Sequence, residues 1–164
     1  MKEVVFDSST LILLAKITLL RDATEEIKAI ISEEVKSETT KKQDIFDAKL
    51  IDKLIKENKI ININANQEIT NKLMMDFNIN KGEAETLATG KSKNFLVATD
   101  DGPTIKACKI LDVKFSTAIH FLMELYKKKK LTREMALEKL KNLEIYGRYK
   151  EDILINAKRK IEGG

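Results

Sequence analysis

Apolar residues in this chain fall into short runs separated by stretches with helical spacing. Val4, Val5 and Phe6 make the first run, which ends at Asp7. Ser8, Ser9 and Thr10 follow, and LILLAKITLL then reads as a helix whose start a hydroxyl can cap. KAIIS at 28–32 is a second strand closed by Ser32. From Ser32 to Lys59 the chain reads as helical, with Ile45, Leu50, Leu54 and Ile55 recurring at roughly helical spacing. IINI at 60–63 is a third strand. NQEITNKLMMDF is an amphipathic helix with Ile69, Leu73 and Phe77 on one face, and NKGEAETLATGKSK is another helix. FLVAT is a fourth strand, and DDGPTIKACKILD is a turn and a helix with Ile105, Cys108 and Leu111 facing inward. VKF is a fifth strand, followed by the helix STAIHFLMELYKKKK.

Nearly continuous apolar strands separated by helices belong to a parallel sheet covered on both faces. The expected fold is therefore α/β: three layers, α/β/α, with about five parallel strands and right-handed crossovers. After Leu131 the pattern becomes purely helical. LTREMALEKLKNLEIYG is capped by Thr132 and stops near Gly147, and RYKEDILINAKRKIEGG carries Ile153, Leu154 and Ala157 as its apolar stripe. Residues 131–164 are too few to bury a core of their own. They are expected to pack as a helical extension on the domain formed by residues 1–130.

Composition narrows the chemistry. The chain has 164 residues, 43% of them hydrophobic, with one Pro, one Cys and one His. Lone Cys108 excludes an internal disulfide and a cysteine-rich zinc site, and lone His120 argues against a zinc enzyme or a Ser-His-Asp hydrolase. Apolar stretches such as LILLA are far too short to span a membrane, and no charged-then-apolar leader opens the chain. A cytoplasmic protein is expected. The net charge of +4 permits an anionic partner without requiring one. Neither G-x-G-x-x-G nor G-x-x-x-x-G-K-[ST] occurs, so the common nucleotide cradles are absent. What remains for chemistry is carboxylates, hydroxyls and lysines.

Acids stand where an open parallel sheet binds ligands, beyond the carboxyl ends of its strands. Asp7 ends the first strand, and Asp100 and Asp101 end the fourth. Glu38 lies two turns into the helix after the second strand, and Glu83 opens the helix leading to the fourth. Two carboxylates near 4 Å repel by about 4 kcal/mol at an effective dielectric near 20. Gathered together, these groups need protons or a cation. Oxygen donors without His or Cys suit Mg²⁺ or Mn²⁺. Such an ion activates water against a phosphodiester, so the residues point to metal-assisted hydrolysis.

The segments VVFDSSTLILLAKI, ISEEVKSE, GEAETLATG and FLVATDDGPTIKACKILDVKFSTA, in that order, resemble the successive motifs of the PIN domain family. The resemblance runs from about Val4 to about Leu125, and LTREMALEKLKNLEIYGRY resembles the helical extension of some archaeal and bacterial members. It implies a Mg²⁺- or Mn²⁺-dependent ribonuclease, the class that includes VapC-type toxins and RNA-processing nucleases. On the family pattern the catalytic acids fall on Asp7, Glu38, Glu83 and Asp101. The ion's ligands come from Asp7, Glu83, Asp101 and the adjacent Asp100, and Ser9 takes the hydroxyl position on the substrate side. Glu85 stands close enough to be confused with Glu83. Ser32 occupies the place where a Pro often precedes V-x-x-E. The implied partners are RNA, an antitoxin protein and a second copy of the chain in a homodimer.

Plainer roles compete for the same residues. Asp7 can cap the first helix, Glu83 can close a capping box with Asn80, and Glu38 can be one exposed acid among several. One of Asp100 and Asp101 can form the turn into the Pro103 helix. His120 and Cys108 read as packing residues, and the Lys127–Lys130 run as a solvated helix end. The main rival function is a PIN-like module that binds RNA or protein without cutting. A phosphoacceptor receiver fits poorly, because the acidic pair follows the fourth strand instead of the first.

Overall fold

The computed structural model describes residues 1–42 and 45–163. Among them are five strands and ten helices. Strands β1 (Glu3–Phe6), β2 (Lys28–Ser32), β3 (Ile60–Ile63), β4 (Leu96–Ala98) and β5 (Phe115–Ser116) form one sheet in the order β3-β2-β1-β4-β5. Every pairing is parallel, with Val5 opposite both Ile30 and Val97. The order reverses direction at β1, so the carboxyl ends of β1 and β4 flank the switch point where α/β sheets bind ligands.

Alternation along the strands divides the core in two. Val4, Phe6, Ala29, Ile31 and Ala98 face one helical layer, and Val5, Ile30 and Val97 face the other. The first layer contains α1 (Ser8–Lys16), α2 (Leu20–Glu26), α3 (Glu33–Thr40), α4 (Phe46–Lys56) and α8 (Ala118–Lys127). The second contains α5 (Gln67–Phe77), α6 (Lys81–Lys93) and α7 (Gly102–Ile110). This is the three-layer α/β/α arrangement that the strand pattern predicts.

Helices α9 (Arg133–Tyr146) and α10 (Glu151–Gly163) extend the first layer. Leu140, Leu143, Ala157 and Ile161 are buried in the same cluster as Leu14 of α1 and Leu122 of α8. Thr132 caps α9 by accepting from the Met135 amide, and Gly147 ends it. The apolar stripe of α10 is shifted from the expected one: Ala157 and Ile161 are buried, whereas Ile153 is exposed. Among the described residues no helix is long and apolar enough to cross a membrane.

Two expected helices are each divided. LILLAKITLL breaks after Lys16, because Thr18 takes a left-handed φ of 58°. The Lys139 ammonium of α9 donates to the carbonyls of Ile17 and Thr18, which a continuous helix would consume internally. The long segment after Ser32 also divides, α3 ending at Thr40 and α4 starting at Phe46. Thr39 and Thr40 turn their hydroxyls back onto the carbonyls of Val35 and Lys36, a contact that weakens helices. In α4 the core is reached by Ile51 and Leu54, while Ile45 is exposed. Gln43 and Asp44, part of that expected helix, and terminal Gly164 lie outside the described residues.

Candidate active site

Asp7 forms the floor of the site. It follows β1, is fully buried, and caps α1 by accepting from the Thr10 amide. The Ser9 hydroxyl donates to its Oδ1 at 2.6 Å, and the Thr99 hydroxyl donates to Oδ2. Burial pushes its carboxyl up to about 6, against the opposing effect of these donors and with a smaller push from Asp100. Helix capping and membership of the acidic rim are thus compatible at this residue, because one oxygen serves the cap and the other faces β4.

Asp100 and Asp101 divide their labour. Asp101 caps α7, with the Thr104 amide at 3.1 Å and the Thr104 hydroxyl at 2.7 Å from Oδ2. Its own amide donates to Thr99 Oγ1, which links it to Asp7 through one hydroxyl. Asp100 instead accepts from Thr10 Oγ1, from the Ala118 amide at 3.0 Å and from the Tyr149 phenol. The adjacent like charges are therefore tolerated because each has separate donors, one set on α7 and the other on α1, α8 and the C-terminal extension.

The two glutamates stand further out. Glu38 of α3 is exposed, and Ser8 Oγ donates to its Oε2 at 2.6 Å. Ser32 caps α3 by accepting from the Val35 amide, so it does here what a helix start requires. Glu83 closes the capping box of α6, receiving the Asn80 amide at 3.0 Å while its own amide donates to Asn80. Partial burial raises its pKa, the Asn80 amide opposes that, and the charges of Asp101 and Glu38 push it up further. Glu83, Asp101 and Glu38 therefore share one electrostatic neighbourhood.

Glu85 is elsewhere. It is buried, accepting from the Glu34 amide at 3.1 Å and from Gln67 Nε2 at 2.9 Å. It fastens α3 and the start of α5 to α6 and does not face the rim acids.

The acids gather on one rim, but less tightly than the sequence suggests. Among the described residues no three Asp, Glu, His or Cys side chains converge closely enough to hold one ion. Glu83 nonetheless feels the charges of Asp101 and Glu38, because Coulombic repulsion reaches further than coordination does. Each carboxylate is drawn to its own hydroxyl or amide donors, which keeps the like charges apart. The donor chemistry still suits Mg²⁺ or Mn²⁺, ions commonly held by one or two carboxylates with water filling the remaining positions. Ser9 is less available to a substrate than expected. Its hydroxyl donates to Asp7 and accepts from the Asp100 amide, so it holds two acids in place.

Sequence reading passed over Ser8, Thr10, Thr99, Thr104 and Tyr149 as rim residues. Four of these five flank the acids in DSST and TDDGPT, so the density of hydroxyls beside carboxylates was the available signal. Tyr149 carried none, since it lies 49 residues from Asp100.

A model of the family DUF3368, described as a PIN domain, matches residues 3–162. The chain belongs to this PIN domain family. The match takes in the C-terminal helices as well as the sheet, whose five parallel strands flanked by helices are consistent with a PIN-like three-layer fold. PIN domains are generally nucleases and typically use divalent metals, which gives this PIN domain a nuclease-type fold. Neither the comparison with curated proteins nor that with solved structures gave a match.

Proposed function

We propose that this PIN domain is a Mg²⁺- or Mn²⁺-dependent ribonuclease. The observation that carries the reading is the rim on which the charges of Asp101 and Glu38 bear on Glu83, with Glu38 lying against neighbouring Gly82 and Asp7 buried below. Unneutralised, that arrangement is costly, and a nuclease of this fold gives it a purpose. In this reading Asp101 and Glu83 hold the ion, and Asp100 stands beside them. Asp7 fixes the floor through Ser9 and Thr99 and adds its charge from below. Glu38 accepts a proton from water on the exposed side of the rim, where its carboxylate is open to solvent. When bound, the ion supplies positive charge to the phosphodiester and makes a neighbouring water more acidic.

In this reading the substrate is RNA. The protein works in the cytoplasm as a homodimer, and an antitoxin protein is its partner if cleavage is toxic. A second reading, a module that binds RNA without cutting it, draws on the absence of three convergent ligands among the described residues. Incubating the full chain with single-stranded RNA in Mn²⁺, in Mg²⁺ or in chelator separates the two. Cleavage that needs the ion and is lost in Asp7→Asn and Asp101→Asn is the expected result. RNA bound but uncut, with no Mn²⁺ uptake by calorimetry, establishes the second reading instead.

A further inference from the structure

Helix α8 begins without a local cap. Thr117 stands at the cap position, yet its side chain accepts no bond from the helix. The first two amides of α8 are satisfied from outside: Ala118 N–H donates to Asp100 Oδ1 at 3.0 Å, and Ile119 N–H donates to the Tyr149 oxygen at 3.1 Å. The Tyr149 phenol in turn donates a hydrogen bond to Asp100 Oδ2. A closed network thus joins the end of β4, the start of α8 and the α9–α10 linker, with the carboxylate favourably placed at a helix N-terminus.

The linker is shaped for this contact. A Cβ at Gly147 would lie 2.8 Å from the Leu143 carbonyl and 3.0 Å from the Tyr149 ring, so only glycine lets the chain turn tightly enough for the ring to pack there. Thr10 Oγ1 of α1 supplies the third donor to Asp100. With three donors on two oxygens, Asp100 is held in one rotamer, turned towards α8 and the extension. Asp101, next along the chain, is left to α7 and the open rim.

We infer that Tyr149 is a positioning residue of the nuclease site: its phenol fixes the Asp100 carboxylate against the start of α8, beside Asp101, so the C-terminal extension is a working part of that site. This rests on the ribonuclease reading above. Without the hydroxyl, Asp100 keeps its Thr10 and Ala118 donors on Oδ1 but loses the one on Oδ2, so its carboxylate is less firmly held beside Asp101. Metal affinity and turnover then change while the fold persists, because the ring still fills its place against Gly147.

The test is Tyr149→Phe in the full chain, compared with wild type, Asp100→Ala and the double variant. Expected are a fall in kcat of about tenfold with KM for RNA little changed, the size of one lost charge-assisted hydrogen bond. Mn²⁺ affinity by calorimetry should shift about threefold or more, and the melting temperature should stay within a few degrees of wild type. The double variant should be no worse than Asp100→Ala, because the hydroxyl acts through that carboxylate. An active wild type with unchanged kcat and Mn²⁺ affinity in Tyr149→Phe overturns the assignment alone. Additive losses in the double variant overturn it too. A wild type that neither binds Mn²⁺ nor cuts RNA overturns the ribonuclease reading and takes this assignment with it.

Discussion

Gly82 lies directly beneath Glu38: a Cβ at Gly82 would come within 2.6 Å of Glu38 Oε1. Helix α6 thus leaves room for the carboxylate of α3, and the rim depends on a missing side chain. Alanine is ordinarily the better helix residue by up to about 1 kcal/mol. Here the obstruction is the far end of a flexible side chain that can turn into solvent. Gly82→Ala is therefore expected to fold at least as stably as wild type while losing RNA cleavage by about tenfold. Thermal unfolding alongside a cleavage assay checks both halves, and full activity in this variant would remove Glu38 from the site.

The same substitution at Gly90 should behave in the opposite way. There the added methyl would collide with Val97 Cγ2 of β4, a stiff β-branched side chain in the fully buried core. Neither partner can move into solvent. A loss of about 1–3 kcal/mol on urea unfolding is expected, as for other overpacked cores. A stabilised Gly90→Ala would mean that α6 sits further from the sheet than described.

Asp7 sets a pH dependence whose sign follows from burial. Its carboxyl is raised from 3.8 to about 6, so the folded state binds this proton more tightly than the unfolded chain. Below pH 4 both states are protonated and nothing is lost. Between about pH 4 and 6 stability falls as pH rises, and above 6 the whole cost, about 3 kcal/mol, remains. Asp7→Asn removes this titration. Its stability relative to wild type, measured by urea unfolding in chelator, should therefore improve from pH 4 to pH 7. A difference that does not vary with pH would refute the raised carboxyl.

Glu85 should separate stability from catalysis. Glu85→Ala strips the Glu34 amide of its side-chain acceptor and leaves Gln67 Nε2 with the Ala65 carbonyl alone. A loss of about 1–3 kcal/mol is expected, with cleavage per folded molecule preserved. Glu83→Gln should do the reverse, since it keeps the capping geometry and removes the rim charge. Equal effects of both on turnover would contradict the division of roles between these two glutamates.

Sequence by itself determined the fold class and the addresses of the acids. Apolar runs bounded by Asp7, Ser32 and Asp100 mark strand ends, because a buried strand needs side chains apolar on both faces and a polar residue where it emerges. Asp7, Glu83 and Asp101 also announce helix starts, where local hydrogen bonding decides structure within three residues. Only the tertiary structure decided what each acid touches. Glu83 and Glu85 are indistinguishable by spacing, yet their directions differ because helix positions two residues apart project about 200° apart, on nearly opposite faces. The break at Thr18 required Lys139 from the far end of the chain, and the hold on Asp100 required Tyr149. Such contacts link residues distant in sequence, and no local propensity encodes them. Packing of the extension against α1 and α8 brings them together, and that proximity is what sorts one aspartate of the pair to the extension and the other to the open rim.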